Sequence, residues 1–351
     1  MTALTRPEVW LPALLALLAT AALTPLVTWL ARRVGMVSAP SKDRWHSRPT
    51  ALLGGVGMFV AVVAVLLLAV DLPAAFRRAI LPAAALLFVM GLIDDIANLK
   101  PIQKLAVQIA GAAIVIQAGL LLPWTSSPAL NALITMFWLV GITNAVNMLD
   151  NMDGLAAGVA AIASVFLAIH CFSRGQVAEG AAITVLAASL CGFLLYNSQP
   201  ASIFMGDCGS MFIGFFLGCA ALLTTAGDAA QSPLPVIAIP VLTLLVPIFD
   251  TTFVTLMRKL AGRSASQGGR DHTSHRLVAL GLSERRAVWA LYALAILSGL
   301  LATQVSAWTL YQGLSAILGL GIALALFGVL LARQQVIVPA LPRAEVATEQ
   351  R

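Results

Sequence analysis

Uninterrupted apolar runs recur along almost the whole chain, each near the roughly 20 residues needed to cross a hydrocarbon core about 30 Å thick. They fall at residues 9–30, 51–70, 80–93, 105–121, 130–146, 155–172, 181–196, 211–226, 234–256, 287–303 and 309–331. A β-barrel would instead alternate apolar and polar residues in segments of about ten. The expected fold is therefore an all-α integral membrane protein, a polytopic helical bundle of about eleven transmembrane helices. Only 10% of residues are charged, against about 25% in soluble domains. No segment between the runs is long enough to form another domain, so residues 1–332 are expected to make one transmembrane domain and the polar residues 333–351 a disordered tail. The first run is too long for a signal-peptide core and ends in Arg32-Arg33, so it is expected to stay as an anchor. Cys171, Cys191, Cys208 and Cys219 lie in or beside the runs at irregular spacing, which gives neither a metal motif nor a disulfide framework.

Orientation follows from the basic residues. If eleven spans alternate, one side receives all of the 21 Lys and Arg except Arg6, Arg77, Arg78 and Arg174. By the positive-inside rule that side is cytoplasmic. The net charge of +6 is thus a topology signal and implies no nucleic-acid partner.

The polar clusters fall on the same side. Asn144-x-x-Asn147-x-x-Asp150-x-x-Asp153-Gly154-Leu155 sets two carboxamides and two carboxylates at steps of three, at the end of an apolar run. Each step falls about 60° short of a full turn, so neighbours can share a ligand. Asn144 and Asp153 cannot, unless the helix ends; Gly154 permits an ending near Asp150. Asp94-Asp95 closes the third run, where adjacent carboxylates repel unless a cation compensates. A divalent metal is the stronger candidate, with Lys100 and Lys104 nearby. Asp207, between Gly206 and Gly209, reads equally as a helix N-cap or as a ligand. Oxygen donors of this kind suit Mg²⁺ or Mn²⁺ rather than zinc.

Further along, Arg270-Asp271-His272-Thr273-Ser274-His275-Arg276 forms an anion-binding surface suited to a phosphate or diphosphate. A second basic stretch around Arg44 and His46 either joins it or meets anionic lipid head groups. His170 stands alone and reads as a packed residue. Carboxylates for a metal and bases for a diphosphate, on one face of a bundle, suit phosphoryl transfer between a nucleotide and a lipid-borne acceptor. A secondary transporter is the alternative from another class, but its charges would gather near the midplane.

In this order, the motifs resemble the polyprenyl-phosphate N-acetylhexosamine-1-phosphate transferases, of the glycosyltransferase family 4 type. Those enzymes start O-antigen, enterobacterial common antigen and teichoic-acid linkage synthesis. Five matches carry the resemblance: Arg44-x-His46 with Gly54-Gly55; Asp94-Asp95 with Lys104-Leu105; the Asn144 to Leu155 series; Gly206-Asp207-x-Gly209-Ser210; and Asp250 leading to Asp271-His272-x-x-His275-Arg276. The resemblance implies a single catalytic domain at the cytoplasmic face of a bacterial inner membrane. It would pass GlcNAc-1-phosphate from a UDP-sugar to undecaprenyl phosphate with release of UMP. Asp207 with Asn147 would hold Mg²⁺ or Mn²⁺, and Asp94 and Asp95 would assist attack by the lipid phosphate. Asp150 and Asp153 would position the substrates. Arg44, His46, Lys104, Asn144, Arg270, His272, His275 and Arg276 would bind them. The implied partners are the UDP-sugar, undecaprenyl phosphate and membrane lipids; a homodimer is left open. The phospho-N-acetylmuramoyl-pentapeptide transferases are the alternative branch. The chain departs from the family at Ser38, Asn151 and His272-Thr-Ser-His275; the last of these, in the loop that the resemblance implies reads the sugar, leaves N-acetylfucosamine and N-acetylquinovosamine open beside GlcNAc.

Cysteines placed beside Asp95, Asp153, Asp207 and His272, in a background without the four native cysteines, are expected to react with an impermeant thiol reagent only from the cytoplasmic side. Labelling of any one from the opposite side overturns the single-faced arrangement.

Overall fold

The computed structural model describes residues 6–38, 49–225, 233–264, 269 and 271–334. Arg44, His46, Arg270 and tail residues 335–351 lie outside the described residues. Among those described, thirteen α-helices follow one another: α1 Pro7–Arg33, α2 Gly54–Ala69, α3 Leu81–Ala97, α4 Pro101–Gln117, α5 Pro128–Leu149, α6 Leu155–Ser173, α7 Val177–Asn197, α8 Gly206–Leu223, α9 Pro233–Thr243, α10 Leu245–Leu260, α11 Thr273–Ala279, α12 Glu284–Gln304 and α13 Leu310–Ala332. A π-helical turn, Phe76–Ile80, leads into α3. The departure from an all-helical chain is a two-stranded ribbon, β1 Val37–Ser38 against β2 Thr50–Ala51.

Eight of these helical segments are long and apolar enough to cross a membrane, or nine if the bent pair α9–α10 is one span. The expected number was about eleven. The two that fall short, α2 and α4, have 16 and 17 residues, about 24–26 Å at 1.5 Å per residue. A second correction concerns run 234–256, which is not one straight span. The chain bends by 75° between α9 and α10. Pro247 has no N–H to give Thr243, the residue four before it, and its ring crowds that carbonyl, so the helix breaks at Leu244.

The bundle is built around α8. Every residue from Cys208 to Leu223 is buried, as expected for a helix that is apolar all round. Its neighbours approach through glycine. A Cβ on Gly55 of α2 would overlap the Gly209 backbone, and one on Gly91 of α3 would overlap the Asp207 carbonyl. On α8 itself, a Cβ on Gly214 would meet the Thr143 backbone of α5 at 2.9 Å. Lipid tails are as apolar as the side chains, so helices associate in a bilayer by close packing, and small residues allow it. These crossings bring the C-terminal ends of α3 and α5 against the first turn of α8. A second apolar cluster joins the end of α5 and the start of α6 to α10, α11, α12 and α13, through Leu149, Leu155, Val254, Leu277, Leu291 and Leu331.

Gly91→Ala is expected to lower the melting temperature and the activity, because overpacking costs about 1–3 kcal/mol and outweighs alanine's better helix propensity. Gly319→Ala in α13, where an added Cβ meets nothing within 4 Å, is the control. Equal melting of the two variants in detergent would show that the α3–α8 crossing tolerates separation.

Candidate active site

The first turn of a helix leaves N–H groups without intrahelical partners. In α8 those of Asp207 and Cys208 donate to the two carboxylate oxygens of Asp95, at 2.8 and 3.0 Å. The N-cap residue Met205 has no side chain able to do this. Asp95 thus caps α8 from another helix. Gly206 opens α8 at φ +73°, where a side chain would be strained and would also strike Asp95.

Asp94 points the other way. Its Oδ1 accepts the Leu99 N–H at 2.7 Å and holds the turn at Asn98, whose φ is +50°. That turn leads into α4 and presents Lys104. The Lys104 ammonium pairs with Asp94 Oδ2 and, at 2.8 Å, with Asp207 Oδ2. From α5, Asn147 Nδ2 donates to Asp207 Oδ1 at 3.1 Å and to Ser210 Oγ at 2.8 Å. Asp207 therefore lies inside the first turn of α8 and serves as no N-cap. One turn further in, Asn144 and Gln108 exchange amide hydrogen bonds of 2.8 and 3.2 Å.

The α5 helix ends at Leu149, and Gly154 takes φ +74° before α6 begins. Asp153 Oδ2 accepts the Ala201 N–H at 2.8 Å. The Gly154 N–H donates to Asn197 Oδ1 at 3.1 Å, and the Tyr292 hydroxyl donates to the Gly154 carbonyl at 2.6 Å. Asp150 is half-buried at the head of this turn.

A second group surrounds the histidines. Buried Asp250 on α10 accepts the Thr273 N–H at 2.7 Å and lies 2.8 Å from His272 Nδ1. Asp271 is gripped by Arg258 through Nε at 3.0 Å and Nη2 at 2.7 Å, and by Arg263 at 2.7 Å. Burial alone would push the Asp271 carboxyl up, but the Arg258 hydrogen bonds and charge, with His272 and Arg263, hold it down at about 2. The Ser274 hydroxyl donates to Asn151 Oδ1 at 2.6 Å and so ties the histidine segment to the α5–α6 turn. His275 lies edge-on to His272, with centroids 5.6 Å apart. Arg276, expected to bind phosphate, instead gives Nε to the Asp271 carbonyl and Nη1 to the carbonyls of Leu331 and Gln334, at the end of α13.

The structure thus gathers Asp94, Asp95, Lys104, Asn147 and Asp207 into one cluster, with Asn144 a turn below. Asp150 and Asp153 sit on the adjoining turn, and His272 and His275 beyond it. Sequence reasoning missed Gln108, Asn197, Tyr292 and the Arg258–Asp271 clamp, and gave Ser210 and Asp250 a place in the motifs but no role. A carboxylate in an apolar run was signal enough for Asp250; the others are single polar residues that acquire meaning only from partners on distant helices.

Among the described residues, no three His, Cys, Asp or Glu side chains converge as a metal site. Asp94 and Asp207 share the Lys104 ammonium, however, and Asn147 and Ser210 stand beside them. Mg²⁺ is commonly held by one or two carboxylates with waters and substrate phosphates, and this hard-oxygen set fits that pattern.

A family model described as glycosyl transferase family 4 matches residues 78–225. A probable undecaprenyl-phosphate N-acetylglucosaminyl 1-phosphate transferase from Bacillus subtilis is 34% identical over 310 residues, 86% of each chain. A decaprenyl-phosphate N-acetylglucosaminephosphotransferase from Mycolicibacterium smegmatis is 36% identical over 323 residues, 81% of this chain and 79% of the relative. A phospho-N-acetylmuramoyl-pentapeptide-transferase from Levilactobacillus brevis is 30% identical over 245 residues, 62% of this chain and 76% of the relative.

The depressed carboxyl of Asp271 fixes a sign. Its contribution to stability is complete above the ordinary carboxylate range near pH 4 and is lost only as pH falls toward 2. Proteolysis of the 258–276 segment is expected to be unchanged between pH 5 and 8. Arg258→Ala, which leaves the buried Asp271 carboxylate with the partly exposed Arg263 as its remaining arginine partner, should raise cleavage throughout that range. Cleavage as slow as in the wild type would mean the clamp does not hold the segment.

Proposed function

Because the chain belongs to glycosyl transferase family 4, the polyprenyl-phosphate N-acetylhexosamine-1-phosphate transferases, we propose that it moves GlcNAc-1-phosphate from UDP-GlcNAc to undecaprenyl phosphate. UMP is released, and the product opens a lipid-linked cell-surface glycan. That membership makes it a sugar-1-phosphate transferase and sets aside the transporter alternative. The observation that carries the reading is the meeting of Asp94, Lys104, Asn147 and Asp207 from four different helices at one end of the bundle. GlcNAc is favoured over the muramoyl-pentapeptide by the longer match to the two N-acetylglucosamine relatives. The excess of Lys and Arg in the segments that would share that side supports a cytoplasmic site by the positive-inside rule, where the sugar nucleotide is found.

In the reaction an oxygen of the lipid phosphate attacks the phosphorus that bears the sugar. The bond from that phosphorus to the bridging oxygen breaks, and the oxygen leaves as part of UMP. A phosphate nucleophile near neutral pH needs no proton removed, so catalysis consists of positioning and charge stabilisation. Asp94 and Asp207, which share the Lys104 ammonium, would hold Mg²⁺, and Asn147 orients Asp207. When bound there, Mg²⁺ neutralises charge on the diphosphate. Asp95, whose two oxygens meet the first turn of α8, keeps Asp207 in place. Lys104, with His272, His275, Arg270, Arg44 and His46, holds phosphate and sugar groups. Asp150 and Asp153 set the turn against which the nucleotide lies.

Purified protein given undecaprenyl phosphate and a panel of UDP-sugars is expected to release UMP fastest with UDP-GlcNAc, in a Mg²⁺-dependent manner. Asp207→Asn should lower that rate by about a hundredfold or more without changing the melting temperature by more than a few degrees. Preference for UDP-MurNAc-pentapeptide, or full turnover by the variant, overturns the assignment.

A further inference from the structure

Lys104 competes for the oxygens a divalent cation would use. Each of the two carboxylates divides its oxygens in the same way. Asp94 accepts the Leu99 N–H at Oδ1 and meets Lys104 at Oδ2, and Asp207 accepts Asn147 Nδ2 at Oδ1 and Lys104 at Oδ2. The two Oδ2 atoms are the pair these helices would offer to a cation between them, and the Lys104 ammonium already bridges them. An ammonium and a divalent ion within about 4 Å of each other repel strongly at the edge of a protein. They cannot share the pair, so entry of one requires movement of the other. Lys104 has room to move, because 24% of its side chain is exposed against 8% for Asp94. A flexible four-carbon stem carries the charge. A diphosphate arriving at this end of the bundle offers the ammonium anionic oxygens in exchange.

We propose that Lys104 is a built-in competitor for the divalent cation, so that cation and sugar nucleotide enter as a coupled pair. The inference rests on the transfer reading above. The diphosphate draws Lys104 away from Asp94 and Asp207, and the freed Oδ2 atoms accept the metal. By linkage, each ligand then raises the affinity of the other by the same factor. The free enzyme binds the metal weakly, which keeps a hydrated cation out of the cluster until substrate is present.

The test is a Mn²⁺ titration, followed by electron paramagnetic resonance, of the full chain in detergent without substrate. Lys104→Met removes the charge and keeps the length of the side chain; it is expected to bind Mn²⁺ about tenfold or more tightly than wild type. Lys104→Arg is expected to stay weak. Adding UDP should tighten Mn²⁺ binding to wild type by a clearly larger factor than to Lys104→Met, because the diphosphate is itself a metal ligand in both, while Asp207→Asn in the Lys104→Met background should abolish the gain seen without UDP. Unchanged or weaker Mn²⁺ binding by folded Lys104→Met, beside a wild type that transfers sugar phosphate, overturns the competitor and leaves the transfer reading standing. Absence of UMP release by wild type overturns the transfer reading and the competitor with it. If Lys104→Met does not fold, Lys104→Gln takes its place: Mn²⁺ binding without UDP tighter than in wild type supports the proposal, and binding no tighter than in wild type overturns it.

Discussion

Inside a bilayer no water is present to satisfy a backbone group, so every helix end brought into the bundle must find a protein partner. The N-terminus of α8 is such an end. It is the most enclosed helix of the fold, and its first turn is met by the carboxylate of Asp95. That single interaction fixes much of the site. It needs α3 to lie close against α8, which the glycine at position 91 allows. It sets Asp207 at the second position of α8, within reach of α4 and α5. It also places negative charge at the positive end of the helix dipole. The neighbouring carboxylate, Asp94, is left to turn toward Lys104, so two adjacent residues of one sequence motif have different work.

The helices themselves were legible in the sequence, because a long hydrocarbon-soluble segment has few ways to satisfy its backbone other than a helix. The steps of three from Asn144 to Asp153 and the glycine after them were also sufficient to read a helical face followed by an ending near Asp150. What was hidden is what each polar group binds. Arg276 has the composition of a phosphate ligand, yet its guanidinium is held by the end of a helix 55 residues away. Gln108 is one amide in an apolar run and carries no signal until Asn144 is seen opposite. The break at Leu244 was written in Pro247, but an unbroken count of apolar residues outweighed one proline.

That break shapes the far side of the site. Because α10 departs from α9 at 75°, its Asp250 and Arg258 meet the segment 271–273 instead of continuing one straight span. Four charged groups are buried there: Asp250, Arg258, Asp271 and Arg276. Their pairing gives little net stability, since removing ions from water costs about as much as their attraction returns. It does restrict geometry. With Asp250 on the Thr273 N–H, Asp271 on two arginines and Arg276 on the end of α13, the backbone around His272 has few alternatives. The His272 ring is held at Nδ1, which leaves Nε2 as its remaining polar atom. The buried charges here are paired within the fold, and the position of the ring follows from those pairs.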